Sequence, residues 1–121
     1  LAGDCGKCVI LRLKDSGLAA RLADRLNARG VETGSWFRSR STDRHIYQNW
    51  WPILGKRGNI DPRQNPYLPT PAGRAVRYSR DMCPRTLDLL GRSVSVQIKP
   101  GWGRSKLESV ARAVEREAAR L

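Results

Sequence analysis

Ser93 to Ile98 reads SVSVQI, and this stretch decides the fold class. Val94, Val96 and Ile98 fall on one side of an extended chain, and Ser93, Ser95 and Gln97 on the other. Side chains alternate across a strand, so the pattern predicts a strand with one face buried and one face wet. Pro100 and Gly101 end it. After them Ser105-Lys106-Leu107-Glu108 reads as a capping box opening a final helix, with Glu108 reaching back to the Ser105 amide. Leu107, Val110, Ala111, Val114 and Ala118 form that helix's apolar stripe, while Arg112, Glu115, Arg116 and Glu117 point away. Before the strand, Pro84 suits a first helical turn because its missing N–H is not needed there. That helix carries Leu87 and Leu90 and stops at Gly91.

The N-terminal part repeats the theme. Lys7 to Leu13, KCVILRL, is a continuous apolar run and predicts a buried strand. Asp15 or Ser16 can cap the helix that follows. Leu18, Leu22 and Leu26 give this helix one apolar stripe, with Ala19 and Ala23 beside it. Gly30 supplies the left-handed stop, and Val31 to Trp36 predicts a short second strand. The fold class expected is α+β: a small sheet with helices packed on one face. At 121 residues the chain is read as a single domain.

Residues 37–80 break the scheme. Five of the seven prolines lie here, with Gly55, Gly58 and Gly73, a density that long helices and central strands do not tolerate. Ile46 to Leu54 predicts a helical turn or two, and the remainder an irregular Pro-rich segment. Ser35 to Leu54, SWFRSRSTDRHIYQNWWPIL, also holds three of the four Trp, the only Phe and the only His. Rings and cations interleave without helical or strand periodicity. Such a run suits an interface or the wall of a binding site, carried on a loop by a rigid scaffold.

The formal net charge is +12 and the sequence pI about 10.8. That balance favours anionic partners: nucleic acid, membrane surface or a phosphorylated ligand. The cations are spread through every segment, and an Arg- and Ala-rich composition also follows from base composition. No apolar run is long enough to span a bilayer. Three Cys make no even disulfide framework, which fits a reducing, cytoplasmic setting. Cys5-Gly6-Lys7-Cys8 is a CxxC, but a structural zinc site needs four ligands, and beyond it only Cys83 and His45 remain, with no second pair. A strand follows it where a redox CxxC would open a helix, so reduced thiols at a strand edge are expected. No RRM, KH, helix-turn-helix, GxGxxG or Walker pattern is present. Trp36, Trp50 and Trp51 could stack bases on a basic surface, or else fill an interface.

The order of the pieces resembles a known family. A strand and helix lead to GVETGSWF at 30–37, then DRHIYQNW at 43–50 and a Pro-rich loop. YSRDMCPRTLDLLGRSVSVQIKPGWGRSKLESVARAVE follows at 78–115. Together these resemble the C-terminal small domain of the DegT/DnrJ/StrS aminotransferases, fold type I pyridoxal-phosphate enzymes acting largely on sugars and cyclitols. The resemblance covers nearly all of residues 4–120. It implies that the chain is the C-terminal part of a longer enzyme, a reading that its start at Leu rather than Met also suggests. That enzyme would move an amino group from glutamate or glutamine to a keto sugar or related polyol, using pyridoxal 5'-phosphate, and would work as a homodimer.

The resemblance also implies where the chemistry lies. The Schiff-base lysine and most cofactor ligands belong to a large domain outside this chain, so no catalytic residue is expected within it. His45 is implied to border the substrate pocket, with Trp36, Tyr47 and Asn49 shaping it. Arg38 or Arg44 could hold a substrate carboxylate by a bidentate fork. The QNWW after the His departs from many members and bears on the acceptor. The alternative from composition alone is a stand-alone basic module for nucleic acid or another anionic partner.

Overall fold

The computed structural model describes residues 6–36, 46–58 and 60–121. The chain divides into two compact units, one built from residues 1–40 and 85–121 and the other from residues 41–84.

The first unit is the α+β scaffold. It contains β1 (Cys8–Arg12), α1 (Ser16–Ala28), β2 (Thr33–Ser35), β3 (Ser93–Gln97) and α5 (Arg104–Ala118); α4 (Pro84–Gly91) leads into β3. The sheet order is β1-β3-β2, and β3 runs antiparallel to both neighbours. β1 and β2 are therefore parallel to each other, joined by the α1 crossover, with β3 inserted between them. Val96 sits opposite Val9 and Thr33, and Val94 opposite Leu11 and Ser35. Residues opposite one another share a face, so these six define one side of the sheet.

Both long helices cover that side. Leu22, Leu26, Val31, Val96, Val110 and Ala113 form the main buried cluster, and Ala19, Ala23 and Val94 a second one beside it. The alternation of SVSVQI is thus realised as a strand covered by helices on its valine face. α1 starts where Asp15 Oδ1 accepts the Leu18 N–H at 2.8 Å. It ends where Gly30 turns left-handed at φ 73 and donates its N–H to Asn27 O at 3.0 Å.

Four expectations are corrected. Lys7 to Leu13 forms an edge strand rather than a buried one: Ile10 is 58% exposed and Val9 47%. In the three-stranded sheet of the described residues the central place went to β3, and an apolar run alone does not separate centre from edge. β2 is shorter than Val31 to Trp36, spanning Thr33–Ser35. The final helix begins at Arg104, capped by Gly103 with no side-chain acceptor, so there is no capping box at Ser105. Glu108 instead pairs with Arg104 at 3.0 Å. The inward face of α5 is Val110, Ala113 and Glu117, whereas Ala118 is exposed. Glu117, only 3% exposed, receives Arg29 Nε at 2.9 Å and Arg120 Nη1 at 3.4 Å, and lies 3.9 Å from Arg25 Nη1. A carboxylate buried among guanidinium groups keeps its charge compensated.

The second unit is made of short pieces. They are a 3-10 turn Tyr47–Asn49, α2 (Trp51–Leu54), a 3-10 turn Pro62–Gln64 and α3 (Pro71–Ala75). Three of the prolines stand at helix starts, where they are tolerated: Pro52, Pro62 and Pro71 each occupy the first or second helical position. The stretch read as an irregular connection is therefore more ordered than expected. Ile46 and Asn65 are its buried residues among those described.

Candidate functional site

The sequence places the site in residues 35–54, and most of the described part of that segment lies in the second unit. Its order comes mainly from side chains bonding to backbone. The Tyr47 hydroxyl donates to Arg80 O at 2.7 Å and accepts the Cys83 N–H at 3.2 Å. Gln48 Nε2 donates to the same Arg80 carbonyl at 2.7 Å. One short 3-10 turn is thereby tied to residues 80–83.

Lys56 makes the second tie. It closes α2 with a left-handed backbone, φ 49. Arg57 N–H reaches back to Pro52 O at 2.7 Å and Lys56 N–H to Ile53 O at 3.0 Å. This is the double bond pattern of a Schellman helix end, in which glycine is usual at the left-handed position. Lys56 takes it here, and its ammonium donates to Arg74 O at 2.8 Å and to Gly73 O at 3.5 Å. Partial burial and the charge of Arg77 push its pKa down.

Asn65 is the third tie and the only buried polar side chain described in this unit. Its Nδ2 donates to Lys56 O at 3.1 Å, and its Oδ1 accepts the Tyr67 N–H at 2.9 Å. Both ends of the amide are used, as a buried polar group requires. Gly58 lets this happen: a Cβ there would come within 2.6 Å of the Asn65 Cα. Gly73 likewise admits Pro66 O at 2.5 Å from where its Cβ would stand. The rings of Tyr67 and Tyr78 meet edge to face, 6.0 Å apart, and burial with the neighbouring Tyr78 raises the Tyr67 pKa.

What this frame presents outward is aromatic and cationic. Trp51 is 65% exposed and Trp50 42%. The Arg57 guanidinium lies 5.6 Å from the centre of the Trp51 ring, within cation–π range. Arg74 bonds Leu68 O at 2.7 Å and Arg77 bonds Arg74 O at 2.6 Å. The two acids described here are both engaged. Arg63 pairs with Asp61 at 2.8 Å, and its N–H and guanidinium hold the Asp61 carboxyl below its usual range. Ser79 donates to Asp81 at 2.6 Å, with the same direction of shift. A surface of exposed indole and guanidinium suits flat or anionic ligands.

The expected site residues fall in three groups. His45, Arg38 and Arg44 lie outside the described residues. Trp36 follows β2 in the first unit and is half-buried. Tyr47 and Asn49 share the 3-10 turn of the second unit. Tyr47 uses its hydroxyl both as donor and as acceptor within the protein, so it holds the segment in shape. Lys56, Arg57 and Asn65 were not singled out from sequence. A signal did exist for them: a Lys-Arg pair between two glycines, followed by an Asn before Pro66, marks tight backbone approach.

No described lysine is set up to hold pyridoxal phosphate. Lys56 is bonded to carbonyls, Lys99 pairs with Glu32 at 2.6 Å, Lys106 lies over the Trp102 ring, and Lys7 and Lys14 are exposed around β1. The described residues therefore do not fit the cofactor. Nor do they contain a cluster of His, Cys, Asp and Glu able to hold a metal ion. Cys5 of the CxxC lies outside the described residues, while Cys8 and Cys83 are exposed free thiols. Among the described residues no helix is long and apolar enough to cross a membrane. Comparison of the chain with family models, with curated proteins and with solved structures gives no match.

Proposed function

We propose that the chain is the C-terminal, substrate-facing part of a pyridoxal-phosphate-dependent aminotransferase of the DegT/DnrJ/StrS type. The intact enzyme, a cytoplasmic homodimer, would transfer an amino group from glutamate or glutamine to a keto sugar or related polyol. The observation that carries this reading is the order of elements. Strand, helix and strand precede an aromatic, cation-rich unit, and helix, strand and helix follow it. That is the order in which the resembling motifs fall.

In this reading the two units divide the work. The α+β scaffold supplies a rigid frame. The unit between β2 and α4 carries Tyr47 and Asn49, and the resemblance implies His45, Trp36, Arg38 and Arg44 as further substrate-binding residues. Tyr47 fixes the turn that follows His45. The cofactor, which supplies an electron sink when bound, belongs to a large domain outside this chain.

The test is spectroscopic and genetic. The 121-residue chain incubated with pyridoxal phosphate should form no imine that borohydride traps. The polypeptide encoded by the reading frame extended upstream of Leu1 should form one at a lysine and should aminate a keto sugar. A start codon directly before Leu1, with no coding sequence upstream, overturns the reading.

A second reading is favoured by one observation, the exposed Trp51 ring with Arg57 beside it. A basic module would stack nucleic-acid bases on such a ring and hold phosphates with its cations. Binding to single strands would then weaken steeply with salt, by counterion release. Loss of that binding in a Trp51→Ala variant, with the charge unchanged, would favour this reading over the first.

A further inference from the structure

The two edges of the sheet are finished differently. In β1, Lys7 O accepts the Ile98 N–H at 2.9 Å and the Leu13 N–H reaches Arg92 O at 2.8 Å. Lys7, Val9, Leu11 and Leu13 thus bond toward β3, and the backbone groups of Cys8, Ile10 and Arg12 point away from the sheet. None of these outward groups has a partner among the described residues. On β2 the outward Thr33 N–H is closed off. The Thr33 N–H donates to Asn27 Oδ1 at 3.1 Å and the Thr33 hydroxyl to Ala23 O at 3.3 Å, so α1 covers that edge. Natural proteins usually blunt exposed edges, and an unblunted one is a template for another strand.

A groove runs beside the open edge. It lies between β1 and α5, has a volume of about 320 Å³, and is lined by Val9, Leu11, Ile98, Trp102, Leu107 and Val114 among others. Val9 is 47% exposed and Leu107 40%, although both are apolar. A strand laid antiparallel against β1 would turn every second side chain into this groove. Its other side chains would lie on the open face beside Ile10 and Arg12.

Charge selects the occupant. Lys7, Arg12 and Lys14 flank the edge, and no carboxylate of the described residues pairs with any of them. A second copy of the chain would bring two such sets of cations along one ladder, and like charges across a ladder are destabilising. We propose that the β1 edge and the β1–α5 groove bind an extended peptide that alternates apolar residues with carboxylates, adding it as a fourth strand. This mode draws affinity from main-chain bonds and specificity from the alternate side chains. It stands independently of the aminotransferase reading.

The experiment uses the 121-residue chain and an acetylated peptide of about eight residues, a common strand length, alternating leucine with glutamate. A control peptide has the same composition with its leucines and glutamates in separate blocks. Binding is followed by fluorescence anisotropy, and amide exchange by NMR. The alternating peptide should bind and should slow exchange at Cys8, Ile10 and Arg12. Ile10→Pro removes one outward donor without touching the bonds to β3, and should weaken binding by about tenfold or more. Arg12→Glu should weaken it by a similar factor, and covers the case in which the proline variant does not fold. Unchanged exchange of the three amides at saturating peptide overturns the proposal. So does equal binding of the block peptide, or a homodimer in which those amides are already protected.

Discussion

The two units of this chain reach order by different routes. In the first, burial of apolar side chains does most of the work: Leu22, Leu26 and Val96 are buried in one cluster of two long helices and a sheet, and Val94 in a second beside it. In the second, the described residues bury one apolar side chain, Ile46, and one amide, Asn65. Tyr47, Gln48, Lys56, Asn65 and Arg74 hold it by reaching backbone carbonyls and amides across the unit. Each such bond contributes about 1 kcal/mol net, whereas a buried leucine contributes about 1.5–3 kcal/mol. The comparison teaches that the aromatic segment leaves its rings outside because polar ties, rather than a core, fix its shape. A surface built that way keeps indole and guanidinium available for a partner.

The comparison breaks most readily through the scaffold. Leu22→Ala should cost about 2–5 kcal/mol, since a fully buried leucine leaves a cavity that its neighbours only partly fill. Denaturant unfolding followed by circular dichroism should show a large drop in midpoint. In the second unit Asn65→Ala should cost about 1–3 kcal/mol locally, because the Lys56 carbonyl and Tyr67 amide lose their partner. Amide exchange should quicken over residues 56–67 while protection in β3 and α1 stays unchanged. If β3 protection falls equally, the two units are one cooperative structure and the contrast fails.

Tyr47→Phe is a smaller perturbation, about 0.5–1.5 kcal/mol. Arg80 O keeps Gln48, and only the Cys83 amide is left without its acceptor. Faster alkylation of the exposed Cys83 thiol, with that of Cys8 unchanged, would report it. Acid should have the smallest effect. Asp61 and Asp81 both titrate below the ordinary carboxylate range. Their contribution is therefore complete above the unfolded carboxylate pKa and is lost as pH falls through the depressed folded values. Both groups are in the second unit, so exchange should quicken around residues 61–63 and 79–81 before the scaffold responds.

How much was legible in the sequence follows the same division. Periodicity reports burial, so SVSVQI was read correctly as a strand with its valines inward, although Ser93 on the opposite face is buried too, and the Leu18-Leu22-Leu26 spacing was read correctly as an amphipathic helix. Asp15 and Gly30 marked the ends of α1 by local chemistry. Lys7 to Leu13 was misjudged because an apolar run does not say how many strands will flank it. The capping box at Ser105 failed because the helix opened one residue earlier, at Arg104, where an Arg104–Glu108 pair forms instead. Glu117 was assigned outward by polarity, yet Arg25, Arg29 and Arg120 from two helices gather around it. Arg120 is a near neighbour in sequence, but Arg25 and Arg29 come from the far end of the chain, and only the fold brings them to Glu117.

The candidate site was legible as a composition and not as a geometry. An aperiodic run of rings and cations marked the segment, in which Trp50 and Trp51 are exposed. The partners of Tyr47, Lys56 and Asn65 are carbonyls and amides, which carry no signature in the sequence.

The functional claim is that this segment forms the substrate wall of an enzyme whose cofactor lies elsewhere. It is tested most directly by kinetics of a His45→Ala variant in the enzyme encoded by the reading frame that contains this chain. The account predicts that kcat/KM for the keto sugar falls by about tenfold or more, while the cofactor's absorbance and the half-reaction with glutamate or glutamine stay unchanged. An unchanged kcat/KM for the keto sugar would contradict it.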